Sequence, residues 1–304
     1  MIAITTGKIF ADIDAIASSF ALQEIVKALG KDSNIVLPHR FSASISESLL
    51  KWFDKGKIIS IDEYQYPEDE IYILDISEQA FLSPHLDLNK VTLLYDHHFG
   101  FEHEWKKYNI KDLKIEKIGA TATQVFELYT HNNVLDKLTT NIANLLYVTI
   151  LTHTLNLNTG VTTDRDRKAI QILKNYITIN ESFIEQYYNE VEKDVLDNIS
   201  TSVINDTKFA TIQGKEVAFG QLELWNAKKI ILEKSLNIVQ SLLSTNREEY
   251  LFSSPSISEG KNYAFTNSVR IEELLINRLD FKRVDNLLIS DKLLLRKEIL
   301  KEIQ

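Results

Sequence analysis

Val91-Thr-Leu-Leu-Tyr-Asp96-His97-His98 is a β-branched, apolar run that stops directly at an aspartate and two histidines. A short run of this kind is a strand signal, and its end is where the polar trio begins. Two other runs share the arrangement. Ile2–Thr5 precedes Asp12 and Asp14, and Ile71–Leu74 ends at Asp75. Between them lie a helical pattern from Ile13 to Leu29 that stops at Gly30, a strand signal at Asn34–Leu37, a helical pattern from Ser44 to Phe53 and a further strand signal at Ile58–Ile61. Alternating β and α segments imply a parallel sheet with helices on both faces. Ligands of such sheets bind outside the carboxyl ends of the strands. Three strand ends therefore deliver acidic groups to one edge.

Downstream, helices are expected over Thr121–Tyr129, Asn141–Leu155 and Arg165–Asn175, the last capped near Thr162-Thr163-Asp164. A polar, helix-spaced stretch follows and then the pattern restarts. Lys208–Ile212 and Glu216–Leu222 form a hairpin signal around Gln213-Gly214-Lys215, Ala227–Leu243 is an amphipathic helix, and Tyr250–Ser253 and Tyr263–Thr266 are strands before a helix at Ile271–Leu279. The expected organisation is a first α/β domain over residues 1–185, a linker over 186–198 and a smaller α/β domain over 199–304.

With 304 residues, 44% hydrophobic and 25% charged, the composition is that of a soluble globular protein, and two domains fit the length. There is no cysteine, which excludes disulfides, thiolate metal sites and cysteine nucleophiles. A net charge of −9 argues against a nucleic-acid polymer as partner. No apolar run reaches bilayer length and Met1-Ile-Ala-Ile-Thr-Thr is not a secretory signal, so a cytoplasmic protein without a membrane partner is expected.

The chemistry-bearing residues each have two readings. Asp12 and Asp14 either cap a helix or turn towards a hard divalent cation. In Asp96-His97-His98, one imidazole can ligate a metal while its neighbour faces a substrate and the carboxylate orients a ring. His153 lies within an apolar helix as a core residue or a ligand. Gly119-Ala-Thr-Ala-Thr123 offers either helix-start amides for a phosphate or tight helix packing.

Taken in order, Asp12-Ile-Asp14-Ala15-Ile-Ala-Ser18, Ile73-Leu-Asp75, Tyr95-Asp96-His97-His98, Gly119-Ala-Thr-Ala-Thr123, Ile150-Leu-Thr-His-Thr154 and Thr162-Thr163-Asp164-Arg-Asp166 resemble the DHH phosphoesterase superfamily. The branch it resembles is that of the family II inorganic pyrophosphatases and exopolyphosphatases, and Val217-Ala-Phe-Gly-Gln221 resembles a strand of their second domain. No glycine-rich GGGH motif of the oligonucleotide-cleaving branch is present.

The resemblance implies an active site in the cleft between two domains. Asp12, Asp14, Asp75, His97 and His153 would hold one or two divalent ions, Mn2+ first, with Co2+ or Mg2+ as alternatives. Asp75 and His98 would carry catalysis, and His98, Lys8, Arg296 and Lys297 would contact a small phosphorylated substrate. A homodimer is compatible with it. The chain also departs from the pattern: Lys8 stands where the family has a histidine ligand, His153 where it has an aspartate, and Leu295-Arg296-Lys297-Glu298-Ile299 where it has Ser-Arg-Lys-Lys-Gln. The expected activity is hydrolysis of pyrophosphate or short polyphosphate by metal-activated water. The alternatives are a catalytically weakened phosphate- or nucleotide-binding regulator, or a phosphodiesterase acting on another substrate.

Overall fold

The computed structural model describes residues 1–42, 44–98 and 100–304. The chain divides into two compact units, Met1–Leu157 with Val161–Ile184, and Asn158–Gly160 with Glu185–Gln304. The division falls between Ile184 and Glu185. Residues 186–197, assigned above to a linker, are helical and count with the second unit.

In the first unit the strands are β1 (Ile2–Thr5), β2 (Ser33–Leu37), β3 (Ile58–Ser60), β4 (Glu70–Leu74), β5 (Val91–Asp96) and β6 (Asp112–Ile115). They form one sheet in the order β3-β2-β1-β4-β5-β6, with every pairing parallel. The order reverses between β1 and β4, which opens the crevice where ligands of such sheets bind. Helix α1 (Ile13–Ala28) follows β1, and every residue from Ile13 to Leu22 is buried. A helix apolar on all sides must be covered on all sides. The sheet covers one side, and α3 (Thr121–His131) and α4 (Thr140–His153) cover the other.

The opposite face is closed without long helices. The four-residue α2 (Glu102–Trp105) brings Trp105 onto it, fully buried, with Nε1 donating to the Ser77 carbonyl at 2.6 Å. Ile61, Tyr66, Leu82 and Leu86 from irregular segments complete that core against Ala3, Ile71, Ile73 and Leu94. The helix expected over Ser44–Phe53 is instead a 3-10 helix, Glu47–Trp52. Its starting residue Ser46 is extended but makes no side-chain cap bond, so one route to a stable α-helical start is missing. Helix α5 (Asp164–Leu173) ends the unit's regular core.

The second unit runs α6 (Glu181–Asp197), α7 (Ile199–Asp206), β7 (Lys208–Ile212), β8 (Lys215–Gln221), α8 (Ala227–Leu243), β9 (Glu249–Ser256), β10 (Lys261–Thr266), α9 (Val269–Leu279), β11 (Lys282–Val284), β12 (Leu287–Ser290) and α10 (Arg296–Ile303). Its sheet has the order β11-β12-β10-β9-β8-β7. Only β8 and β9, joined by the crossover helix α8, are parallel. One apolar cluster unites Val203, Ile230, Ile238 and Phe252, and another unites Phe219, Leu275, Ile299 and Ile303. Those clusters engage α7 and α8, and α9 and α10, respectively. Among the described residues no helix is long and apolar enough to cross a membrane.

Candidate metal centre

The carboxyl ends of β1, β4 and β5 converge, as the strand-end aspartates led one to expect. Asp12 is the N-cap of α1 and accepts from the Ala15 amide at 3.0 Å, so the capping reading holds for it. Its other oxygen, Oδ2, lies 3.9 Å from His153 Nε2. Asp14, in the first turn of the same helix, has no exposure. It accepts from the amides of Thr121 at 2.8 Å and Ala122 at 2.7 Å, and from the Ser18 hydroxyl at 3.0 Å. The amides that open α3 are therefore taken by a protein carboxylate. Of the two readings of Gly119–Thr123, the structure shows tight packing.

Asp75 directly follows β4 and has φ 61°, a left-handed conformation uncommon for non-glycine residues but open to aspartate. The Thr121 hydroxyl donates to its Oδ1 at 3.2 Å. Asp96 closes β5, and its buried Oδ1 accepts from the His98 amide at 3.0 Å and lies 2.9 Å from His98 Nδ1. That pair fixes the His98 ring, whose side chain is 53% exposed. His97 turns the other way and is buried. Its Nδ1 lies 3.0 Å from the Gly119 carbonyl oxygen, and its Nε2 lies 3.5 Å from Asp75 Oδ1 and 4.0 Å from Asp14 Oδ2.

His153, the last residue of α4, is stacked edge-on to His97 with ring centroids 5.5 Å apart. The chain then makes a left-handed turn through Leu155, Asn156 and Leu157, all at positive φ. That turn is why the apolar helix ends at His153 rather than at Leu155. Two sets of three donors result, Asp14–His97–His153 and Asp75–His97–His98, with ligand atoms in each set within 4.8 Å of one another.

The electrostatics match a cation site. Burial pushes the Asp75 carboxyl well above its ordinary 3.8, and Asp12, Asp14 and Asp96 push it the same way while Thr121 opposes them. Burial also raises Asp14, with Asp12 adding to the effect and His153 and the Thr121 and Ala122 amides opposing it. Crowded, desolvated carboxylates are costly without a compensating charge. A divalent ion supplies that charge, and these oxygen and imidazole donors fit one.

Sequence reasoning missed Asp166, which organises the shell around the cluster. It is fully buried and accepts from the Gly119 amide at 3.0 Å, the Thr123 hydroxyl at 2.6 Å, and both the amide and hydroxyl of Thr163 at 2.7 Å. It completes a capping box with Thr163. The Thr-x-x-Asp spacing was the available signal. Gly119 is locked between these groups: a Cβ there would stand 2.4 Å from Thr154 Cγ2 and 2.8 Å from the Asp166 carboxyl carbon.

Lys8 is not drawn into the cluster. Its Nζ donates to the Ala80 carbonyl at 3.1 Å, and among the described residues no carboxylate lies within ion-pair distance of it. In the second unit, Arg296 opens α10. Its guanidinium donates to the carboxylate and carbonyl of Asp206 and, at 3.0 Å, to the Phe219 carbonyl. Its amide donates to Gln221 Oε1 at 2.7 Å, so the glutamine that ends β8 helps position the start of α10. Lys297, next in line, is exposed.

A cavity of about 690 Å³ lies apart from the cluster, lined by Phe20, Lys27, Lys51, Trp52, Phe53 and Lys57 among others. Lys27 is at the far end of α1 from Asp14, roughly 20 Å away at the rise of an α-helix.

Residues 2–150 match the family described as DHH family, N-terminal domain. The chain carries a DHH-family N-terminal domain. Other comparisons point the same way. Over 218 residues it is 23% identical to a Lactobacillus gasseri protein named "Probable manganese-dependent inorganic pyrophosphatase", covering 70% of this chain and 67% of that one. A Lactobacillus acidophilus protein of the same name is 22% identical over 244 residues, covering 79% and 76%. Among solved structures, a Methanococcus jannaschii protein described as a "putative family II inorganic pyrophosphatase" superposes with a TM-score of 0.65 at 20% identity, covering 99% of this chain and 98% of the other. A Bacteroides fragilis exopolyphosphatase-related protein gives 0.52 at 18% identity, covering 99% and 89%. The two-unit α/β architecture is thus the fold of these structures.

Proposed function

We propose that this protein is a metal-dependent phosphohydrolase acting on pyrophosphate or short polyphosphate, with manganese or cobalt as the first ions to supply. The observation that carries the proposal is the convergence of Asp14, Asp75, His97, His98 and His153 on one patch at the strand ends. The names of the relatives support the same chemistry. A bound divalent ion neutralises phosphate charge and acidifies a water molecule.

The chain's own groups divide the remaining work. The Gly119 carbonyl holds the His97 proton at Nδ1 and so turns Nε2 towards the carboxylates. Thr121 and the left-handed backbone fix Asp75, whose carboxylate would face the bound cation in this proposal. Asp96 steadies His98, whose exposed ring is the group proposed to meet a phosphate oxygen. Lys8 and Lys297 are exposed cations of the kind that contact phosphate, and Lys8 is proposed as an anion contact rather than a ligand. Arg296 contacts substrate in this proposal only by releasing Asp206.

Phosphate release from pyrophosphate, tripolyphosphate and a nucleotide panel, each with added Mn2+, Co2+ or Mg2+, tests the reading. Turnover of pyrophosphate or tripolyphosphate is expected. Inactivity on every substrate, together with saturable binding of one of them, would replace it with the regulatory reading that the departures at Lys8 and His153 favour.

A further inference from the structure

The cavity of about 690 Å³ in the first unit runs along the C-terminal half of α1. Its volume falls within the roughly 300–1,000 Å³ of small-molecule sites. One side of it is aromatic. Phe20 comes from α1, and Trp52 and Phe53 from the end of the 3-10 helix. All three are buried and fixed by packing: the Phe20 and Phe53 ring centroids are 5.4 Å apart, and Trp52 lies 4.9 Å from Phe183. Trp52 is only 6% exposed, yet its indole N–H meets no acceptor among the described residues. A buried tryptophan N–H usually has a partner, so a wall of this cavity keeps an unused donor.

The rim is cationic. Lys27, Lys31, Lys51 and Lys57 all line the cavity. Lys31 lies 3.6 Å from Glu70, and Lys51 sits over the Trp52 and Phe183 rings, 5.4 and 5.3 Å from their centroids. Lys27 and Lys57 have no carboxylate within ion-pair distance among the described residues. Glu24, Asp32 and Asp54 share the wall. Glu24 Oε1 is engaged by the Tyr129 hydroxyl at 2.8 Å and the Thr139 amide at 3.0 Å, and Asp54 Oδ1 by the Gly56 amide at 2.9 Å. Four lysines against three carboxylates leave this wall net positive in a chain whose total charge is −9. The start of α4 adds further donors. Thr139, Asn141 and Ile142 belong to the wall, and Thr139, the N-cap, makes no side-chain cap bond. First-turn amides have no intrahelical partner and favour an anion.

An aromatic side, a buried N–H donor and a cationic rim call for one ligand with matching parts. We propose that this cavity binds a nucleoside phosphate, with the base against Phe20, Trp52 and Phe53 and the phosphate against the lysines and the start of α4. Phosphate alone would leave the aromatic side unfilled, and a neutral aromatic would leave Lys27 and Lys57 without a counter-charge. The second oxygens of Glu24 and Asp54 can accept from ribose hydroxyls or a base amino group. None of the lining residues belongs to the aspartate–histidine centre, so the proposal does not rest on the phosphohydrolase reading.

The test uses the full chain with metal removed and chelator retained, so that neither turnover nor a cation-bridged nucleotide enters. Calorimetric titration compares ADP, adenosine and pyrophosphate. ADP should bind at one site per chain with a Kd below about 1 mM, and adenosine and pyrophosphate, each with half the chemistry, about tenfold or more weakly. Lys27→Gln combined with Lys57→Gln changes two exposed side chains and should weaken ADP about tenfold or more. Trp52→Phe keeps a ring and removes the N–H, and should weaken it about fivefold, with the thermal midpoint reporting an intact fold. Asp75→Asn, at the metal centre, should bind ADP as the parent does.

Absence of saturable ADP binding, adenosine or pyrophosphate binding as tightly as ADP, unchanged affinity in the double lysine variant, or loss of ADP binding in Asp75→Asn would overturn the proposal. Failure of the phosphohydrolase reading looks different: no phosphate released by the metal-loaded protein, with ADP binding to the metal-free chain intact.

Discussion

Gly119→Ala concentrates the logic of the centre in one methyl group. The new carbon would stand 2.4 Å from Thr154 Cγ2 and 2.8 Å from both the carbon and an oxygen of the Asp166 carboxyl. These neighbours have no exposure to escape into. The Asp166 carboxylate is held from four directions, and the Thr154 hydroxyl donates to the Ile150 carbonyl at 2.6 Å. The backbone at Gly119 must therefore shift. Overpacking costs about 1–3 kcal/mol, and losing the charge-assisted bond from the Gly119 amide costs about 1.5–3 kcal/mol, so roughly 2.5–6 kcal/mol of stability should go. That is a large share of the roughly 5–15 kcal/mol by which domains are usually stable. The same shift withdraws the Gly119 carbonyl from His97, and cation affinity should fall about 10–100-fold. Urea unfolding of the metal-free protein and Co2+ titration of the folded fraction measure the two effects. Adding Thr154→Ser removes the methyl at 2.4 Å and should return part of the stability, with a coupling energy of about 1 kcal/mol or more. A Gly119→Ala protein within about 1 kcal/mol of the parent and with unaltered Co2+ affinity would refute the reasoning.

Asp75→Asn should nearly abolish phosphate release while leaving urea unfolding of the metal-free protein unchanged or slightly improved, because it removes a desolvated charge; undiminished turnover would sink its catalytic role. The pH dependence has a definite sign. Burial raises the Asp14 and Asp75 carboxyls in the folded state, so their contribution to stability is complete below about 3.8 and is lost as pH rises through the raised values. The metal-free parent should thus lose ground to the Asp75→Asn variant as pH increases, while cation affinity rises over the same range; parallel unfolding curves at all pH values would contradict this. Saturating Mn2+ at about 100 times its Kd should add about 2.7 kcal/mol to unfolding, reversibly removed by a chelator. Arg296→Ala leaves Asp206 and two carbonyls short of a partner and should destabilise the second unit by about 1–3 kcal/mol, as read by the loss of its unfolding midpoint.

Where an element was apolar and uninterrupted, it was legible. The helix at Ala227–Leu243 appears with the boundaries its pattern predicts, and β5 carries the trio at its end. Other elements were hidden for physical reasons. β6, Asp112-Leu-Lys-Ile, is an edge strand with charged residues in the run, and α7, Ile199–Asp206, is short and rich in serine, threonine and asparagine, so neither has a strong period. α2 is one turn whose importance lies in Trp105 alone. At the centre, residue type and strand-end placement were enough to raise Asp12, Asp14, Asp75, His97 and His98 as candidates, and the family resemblance added His153. They could not show that Gly119 directs His97, because a carbonyl carries no residue-type signal. Nor could they show that Arg296 faces Asp206, a partner 90 residues earlier. Asp166 was passed over because it stands in a charged helix start, where an aspartate is expected for capping alone.

The lock around Gly119 has a consequence for descent. Thr154, Asp166 and Gly119 come from three separate stretches of chain, yet they meet so closely that a Cβ at 119 has no room. A lineage cannot enlarge position 119 first, nor shorten Asp166 without stranding the Gly119 and Thr163 amides. Among descendants of this fold the three positions should change together or not at all. Position 153 should drift more freely, since a cation accepts several donor types.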